Sequence, residues 1–83
     1  MDKKVKLYAL STCIYCQNTK ALLDSHQIEY DCTDVDLLDP TEKAEVMRTI
    51  RKICPTISFP TIIIGEIIIQ GYRPEEIRKA LGL

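Results

Sequence analysis

The sequence predicts an α/β fold in which one four-stranded mixed sheet is flanked by three helices. Short apolar runs alternate with helical segments in the order strand, helix, strand, helix, strand, strand, helix. A helix that connects two strands gives a right-handed parallel unit, so the first two strands are predicted to be parallel. The last two strands are joined by Gly65-Glu66, a two-residue turn that makes them antiparallel.

The composition indicates one small domain over residues 1–83. Of the 83 residues 46% are apolar, with only three Gly and four Pro, which is typical of a folded chain. The net charge of −1 lacks the basic excess that nucleic acids or anionic membranes attract. We therefore expect a monomer that binds neither nucleic acid nor membrane.

The amino end and the cysteine content predict a cytoplasmic protein. The apolar run after Met1–Lys4 is short, is interrupted by Lys6 and lacks the small-residue cleavage site of a secretory signal. The longest apolar run, Ile62–Ile69, is too short to span a bilayer. Permanent disulfides are rare in a reducing cytoplasm, so the four cysteines are expected to be catalytic, metal-binding or merely structural.

The first half of the chain reads as strand, helix and strand. Val5–Leu10 is an apolar run typical of a buried strand, and the segment from Cys13 to about Ser25 has few helix breakers. Gln27–Thr33 alternates apolar and polar residues, which predicts a second strand with one face in the core. Cys32 lies on that apolar face and is predicted to be a buried core thiol.

The second half reads as helix, hairpin and helix. Asp39 is predicted to cap a helix that has Pro40 in its first position and ends at Cys54-Pro55, with Cys54 exposed. Thr61–Ile64 and Ile67–Ile69 are the predicted hairpin strands, and their isoleucines are expected in the core. The core-facing residues expected on the two helices are Val46, Met47, Ile50 and Ile53 on the first, and Ile77, Ala80 and Leu81 on the one that Pro74 opens.

Cys13 and Cys16 lie at the junction of the first strand and the first helix. Residues three apart share a helix face, so the two sulfurs can close a disulfide with modest backbone movement. At the start of a helix, unpaired N–H groups and the positive end of the dipole favour a thiolate, and such thiols titrate at about 7 or below instead of about 8.5. We therefore predict that Cys13 attacks a target disulfide and that Cys16 resolves the mixed disulfide.

The chain resembles the glutaredoxin branch of the thioredoxin superfamily over nearly its whole length. The segments that fall at the spacing of that family are Leu7-Tyr8, Thr12–Cys16, Ser58–Thr61 and Gly71-Tyr72. The resemblance implies a thioredoxin-like fold. It also implies a small thiol–disulfide oxidoreductase that reduces protein or mixed disulfides.

The resemblance also implies the members of the site. Cys13 and Cys16 would be the catalytic pair, and Pro60 would follow a cis peptide bond and face them. The main chain of Phe59 would pair with the backbone of an incoming substrate. The full implied set of substrate-binding residues is Thr12, Tyr15, Phe59, Pro60, Gly71, Tyr72 and Arg73. Neither a metal nor a bound cofactor is implied.

The electron source stays open between glutathione and a thioredoxin-reductase-type donor. Glutaredoxins often have Pro between the cysteines and a glutathione-binding Lys three residues before the first one, and this chain has Ile14 and Leu10 there. Their double glycine, followed by an acidic or hydroxyl residue, corresponds here to Gln70-Gly71 and Arg73. Gly71–Pro74 is instead similar to the Gly-Phe-Arg-Pro segment of the glutaredoxin-like hydrogen donors of ribonucleotide reductase.

Two kinds of metal site are alternatives to the redox interpretation of the cysteines. Related proteins hold an iron–sulfur cluster between two subunits with the first cysteine and glutathione, and Ile14 in place of Pro removes one obstacle to such a site. Cluster binding or delivery is therefore the alternative function. A four-cysteine zinc site usually needs a second close pair, whereas Cys32 and Cys54 are far apart in sequence.

Overall fold

The structure is a computed structural model that describes residues 4–83, and it confirms the predicted fold class and element order. Its strands are β1 (Val5–Ala9), β2 (Asp31–Asp34), β3 (Thr61–Ile64) and β4 (Ile67–Gln70). Its α-helices are α1 (Ile14–Ser25), α2 (Pro40–Ile53) and α3 (Pro74–Leu81), and a short 3₁₀ helix, Val35–Leu37, follows β2.

The four strands form one mixed sheet in the order β2-β1-β3-β4. As predicted, β1 and β2 are parallel and β3 and β4 are antiparallel. The structure adds an antiparallel pairing of β1 with β3. Thr61, the first residue of β3, lies opposite Tyr8 near the end of β1 and opposite Gln70 at the end of β4. Ala9 and Asp34 end the parallel pair side by side. The segments that follow β1, β2 and β4 and the segment that precedes β3 therefore meet at one end of the sheet.

The sheet separates two apolar cores. The first core lies between the sheet and helices α1 and α3, and the second lies between the sheet and α2. The buried members of the first core are Val5, Leu7, Ala9, Cys16, Leu22, Leu23, Ile62, Ile64, Ile69, Ile77 and Ala80. Those of the second are Tyr8, Val35, Ile50 and Cys54. Alternation along β1 supplies both cores, because successive side chains of a strand point to opposite faces. Within residues 4–83 no helix is long and apolar enough to cross a membrane.

The chain between α1 and β2 departs from the prediction. The second strand begins at Asp31 and not at Gln27, because Gln27 adopts a left-handed conformation with φ of 56°. The N–H of Ile28 then donates to the carbonyl of Leu23 at 3.0 Å, so these residues finish the helix instead of joining the sheet. β1 also ends one residue early, because the carbonyl of Leu10 accepts the N–H of Cys13.

Several predicted burials are wrong at the end of α2 and at the edges of the sheet. Cys54 was predicted to be exposed, but it is 5% exposed because it turns into the second core at the end of α2. Ile53, Ile67 and Ile68 were expected in the core and are 40%, 43% and 39% exposed. β4 is an edge strand, so less of its surface is covered. Cys32, on the opposite edge strand, is half-buried against the first core.

Replacing Ile62 by Ala tests the first core. Ile62 is fully buried between the sheet and the helices, so Ile62→Ala should lower the free energy of unfolding by about 2–5 kcal/mol. The matched control, Ile68→Ala on β4, should cost about 1 kcal/mol or less because that side chain is partly exposed. Urea unfolding followed by circular dichroism measures both values. Equal losses would contradict the assignment of Ile62 to the core.

Candidate functional site

Cys13 caps the amino end of α1. Its backbone is extended, with φ of −83° and ψ of 120°, and its sulfur accepts a hydrogen bond from the N–H of Cys16 at 3.3 Å. The N–H of Cys13 donates to the carbonyl of Leu10 at 3.1 Å, which closes the turn between β1 and the helix. The Cys13 sulfur therefore lies at the positive end of the helix dipole, where a negative charge is stabilised. This confirms that the helix begins at the cysteine pair.

The two cysteines differ in their access to solvent. Cys13 is half-buried, whereas Cys16, in the first turn of α1, is fully buried in the first core. Burial, followed by a hydrogen bond with Cys13, raises the pKa of the Cys16 thiol to about 12. A hydrogen bond with the main chain of Leu10 acts in the opposite direction. At neutral pH Cys16 is therefore a buried, protonated thiol, whereas Cys13 is only half-buried.

The segment before β3 approaches the same end of the sheet. The Phe59–Pro60 peptide bond is cis, as the family resemblance implied, and Pro60 is buried. The ring of Phe59 packs against both cores, including the one that contains Cys16. The carbonyl of Pro60 accepts the N–H of Gly71 at 2.8 Å, which joins the cis-proline segment to the end of β4.

The turn from β4 to α3 forms the third side of the site. Gly71 has φ of 88°, a conformation that favours glycine. Tyr72 is half-buried against the first core. The Arg73 side chain is 62% exposed; its Nε donates to the carbonyl of Gln70 at 3.1 Å, and Nη1 lies 3.6 Å from Oε1 of Glu76. This turn therefore presents a largely exposed cation at the dithiol end of the sheet.

The structure gathers the predicted site residues at one end of the sheet. They come from the loop after β1, the first turn of α1, the segment before β3 and the turn after β4. Thr12 and Tyr15 border the cysteines with exposed side chains, and Tyr15 is 60% exposed. Their role in substrate binding stays a prediction.

A surface groove lies beside Arg73. A groove of about 350 Å³ runs between the end of α2 and the outer strand β4, and its walls include Ile53, Pro55, Ile68 and Gln70. Arg73 also lines it. The groove is therefore continuous with the turn that borders the dithiol.

The hydrogen bonds between Ser11 and Asp36 were missed by sequence reasoning. The N–H of Ser11 donates to Oδ1 of Asp36 at 2.8 Å, and the hydroxyl donates to Oδ2 at 2.5 Å. Both bonds, the side-chain one first, lower the pKa of the Asp36 carboxyl. They tie the 3₁₀ helix after β2 to the loop before Cys13 and place Leu37, which is 70% exposed, near that loop. No local pattern indicates a pair 25 residues apart.

The remaining cysteines lie on opposite sides of the sheet. Cys32 packs against the first core and Cys54 belongs to the second. Burial is the main cause that raises the pKa of the Cys32 thiol, and Lys20 opposes it. In the part of the chain that the structure describes, no group of three or more His, Cys, Asp and Glu side chains is placed to hold a metal ion.

The fold, with a cysteine pair at a helix start beside a cis-proline, defines a thioredoxin-like redox protein. The family model described as Glutaredoxin matches residues 5–69, and the chain belongs to the glutaredoxin family. A glutaredoxin-like 8.6 kDa protein in the rubredoxin operon of Clostridium pasteurianum is 34% identical over 77 residues. That match covers 93% of this chain and 96% of the relative.

Solved structures show the same fold. Methanoredoxin of Methanosarcina acetivorans is 37% identical, with a TM-score of 0.91, over 96% of this chain and 85% of the other. NrdH-redoxin of Escherichia coli is 24% identical, with a TM-score of 0.71, over 92% of each chain. The first match shares sequence as well as fold, and the second shares the fold.

The different environments of the two thiols predict ordered alkylation. Iodoacetamide at neutral pH should modify Cys13 and leave Cys16 of the native protein largely unmodified, because Cys16 is buried and its pKa is about 12. A thiol is uncharged below its pKa, so the labelling rate of Cys16 should rise as the pH rises toward that value. Mass spectrometry of the peptides measures both rates, with urea-denatured protein as the control. Equal labelling of the two residues in the native protein at neutral pH would contradict the assignment.

Proposed function

We propose that this protein is a dithiol reductase of protein disulfides, in which Cys13 is the nucleophile and Cys16 resolves the mixed disulfide. The observation that supports this most directly is the asymmetry of the pair. Cys13 is only half-buried and its sulfur accepts an N–H at the start of α1, whereas the Cys16 thiol is buried one turn behind it. Cys13 is thus placed to attack the disulfide of a partner, and Cys16 is placed to attack the mixed disulfide that results.

The reaction proceeds by two thiol–disulfide exchanges. The Cys13 thiolate attacks one sulfur of the target disulfide, a mixed disulfide forms, and the other target sulfur leaves as a thiolate. Cys16 then loses its proton and attacks the Cys13 sulfur, which forms the Cys13–Cys16 disulfide and releases the second target thiolate. Water protonates the two released thiolates. Two electrons have passed from the protein to the target.

A polypeptide substrate fits the surroundings of Cys13. The main chain of Phe59, next to the cis bond, is proposed to pair with the substrate backbone, and Thr12, Tyr15 and Tyr72 to border it. Ile14, at 66% exposed, adds apolar surface beside Cys13 that a small charged thiol does not need. Pro60, Gly71 and Arg73 complete the proposed substrate-binding set. Ribonucleotide reductase is the candidate substrate that the Gly71–Pro74 segment suggests.

A reductase protein is the proposed electron donor. Glutathione is an anionic tripeptide, so its recognition favours cations near the dithiol. Leu10, at the position where glutaredoxins often have lysine, is uncharged and packs against the second core. Arg73 is exposed and forms an ion pair with Glu76, which partly neutralises its charge. These features favour recognition through a protein surface over recognition of glutathione carboxylates.

Serine variants of the two cysteines test the assigned roles. Cys13→Ser should abolish reduction of a protein disulfide such as that of insulin, because a neutral hydroxyl is a far weaker nucleophile than a thiolate. Cys16→Ser should form the mixed disulfide but not release it, and mass spectrometry should detect the trapped adduct. Cys54→Ala, in the core on the other side of the sheet, is the control that should retain activity. Equal activity of both serine variants would contradict the mechanism.

The choice of donor is tested by two coupled assays. Turnover should be faster with NADPH and a thioredoxin reductase than with NADPH, glutathione and glutathione reductase. Leu10→Lys should raise the glutathione-dependent rate, by up to about tenfold, because it adds a cation beside the dithiol. It should leave the reductase-dependent rate within about twofold, because the apolar stem of lysine can pack where Leu10 packs while its ammonium group reaches solvent. A wild-type rate that is higher with glutathione would contradict the proposed donor.

A further inference from the structure

The ion pair of Lys20 and Asp34 lies on the same side of the sheet as the buried thiol. Lys20 follows Cys16 by four residues, so both side chains occupy the same face of α1. The Lys20 Nζ lies 3.0 Å from Oδ1 of Asp34, and the two side chains are only 27% and 28% exposed. The ammonium group is therefore held in a partly buried position next to the first core.

The register of the parallel strands explains why Asp34 can reach this helix. Asp34 is the neighbour of Ala9, and Cys32 is the neighbour of Leu7. Leu7, Ala9 and Cys16 belong to the core under α1, so Asp34 lies on the α1 side of the sheet at its dithiol end. The carboxylate of Asp34 on β2 therefore faces α1 and reaches the ammonium group of Lys20.

The Cys13 sulfur loses its charge during the reaction, and this changes the electrostatic environment of the Cys16 thiol. Burial and the sulfur of Cys13, through a hydrogen bond and its charge, oppose ionisation of Cys16. The main chain of Leu10 and the Lys20 cation favour it. Once Cys13 is bound to a substrate sulfur it carries no charge, so its opposition is removed. Lys20 then becomes the nearby charged side chain that favours ionisation of Cys16.

We propose that Lys20, held in place by Asp34, is a positioning residue that stabilises the Cys16 thiolate while Cys16 releases the substrate. This inference rests on the proposed resolving role of Cys16. The thiol proton passes to water, the new bond joins the sulfurs of residues 16 and 13, and the bond from Cys13 to the substrate sulfur breaks. The leaving thiolate takes a proton from water, and Lys20 stays charged throughout.

The charged and titratable groups around this site come from α1, β2 and the segment before it. The hydrogen bond with Asp34 is the largest of the effects that raise the pKa of Lys20, which keeps the ammonium charged over the pH range of thiol exchange. Cys32 and Tyr30 also face Lys20, and burial is the main cause that raises the pKa of both. α3 presents apolar side chains to this core. Cys32 and Tyr30 are therefore uncharged at neutral pH, where Lys20 and Asp34 are the charged pair against which the resolving rate is compared.

The experiment follows the two thiolate releases from an aromatic disulfide, 5,5′-dithiobis(2-nitrobenzoate), by stopped-flow absorbance. Cys13 releases the first coloured thiolate, and Cys16 releases the second when it resolves the mixed disulfide. In Lys20→Met with Asp34→Asn, both charges are removed together, so no unpaired carboxylate is left partly buried. The second phase at neutral pH should slow about threefold and its pH midpoint should rise by about half a unit, because the cation is lost together with the carboxylate that partly offsets it.

The controls separate this inference from the proposed function. Lys6→Met removes a similar lysine, which pairs with Asp31 at 3.0 Å on the other face of the sheet, and should leave the second phase unchanged. Lys20→Arg should retain most of the rate because it keeps the charge. Unchanged rate and midpoint in the double variant, or an equal loss in Lys6→Met, would overturn the role of Lys20. A second phase that persists in Cys16→Ser would instead overturn the proposed resolving role.

Discussion

The pairing of Tyr8, Thr61 and Gln70 across three strands is the constraint on which the site depends. It aligns the end of β1 with the start of β3 and the end of β4. The loop that carries Cys13, the cis Phe59–Pro60 bond and the Gly71 turn consequently meet, and the hydrogen bond from Gly71 to Pro60 holds two of them together. A shift of one residue in this register would turn the strand side chains to opposite faces and separate these segments.

Cys13 and Cys16 have the same side chain, but their different burial gives them different reactivity. The helix places both cysteines on one face, but Cys13 caps the helix while Cys16 enters the core. The core that stabilises the fold thereby also keeps the second thiol protonated until it is needed. The same packing holds Lys20 and Asp34 on this side of the sheet, so the layer that stabilises the fold also sets the surroundings of the second thiol.

Local patterns in the sequence predicted the fold class, the directions of the β1–β2 and β3–β4 pairs and the helix that starts at the cysteines. The pairing of β1 with β3 joins distant segments and was not predicted. The cap at Asp39, whose Oδ1 accepts the N–H of Glu42, was equally predictable because its signal is local. The start of β2 was not predictable, since Gln27 adopts a left-handed conformation that few sequence patterns indicate. The exposure of Ile67 depends on which strand lies at the edge, and the burial of Cys54 depends on how the end of α2 packs against the sheet. The bonds of Asp36 to Ser11 join distant parts of the chain, so they emerge only in the folded state.

The division of the interior into two cores has an evolutionary consequence. Ile50 and Val35 stabilise the layer under α2, and that layer meets the dithiol elements through β1 and the ring of Phe59. The outward face of α2, with Arg48 and Lys52 in solvent, can therefore diversify without disturbing the sulfur chemistry. Substitutions on the outer surface of α2 can thus change the binding partners of the protein during evolution, while the cysteine pair and the core beneath it are retained.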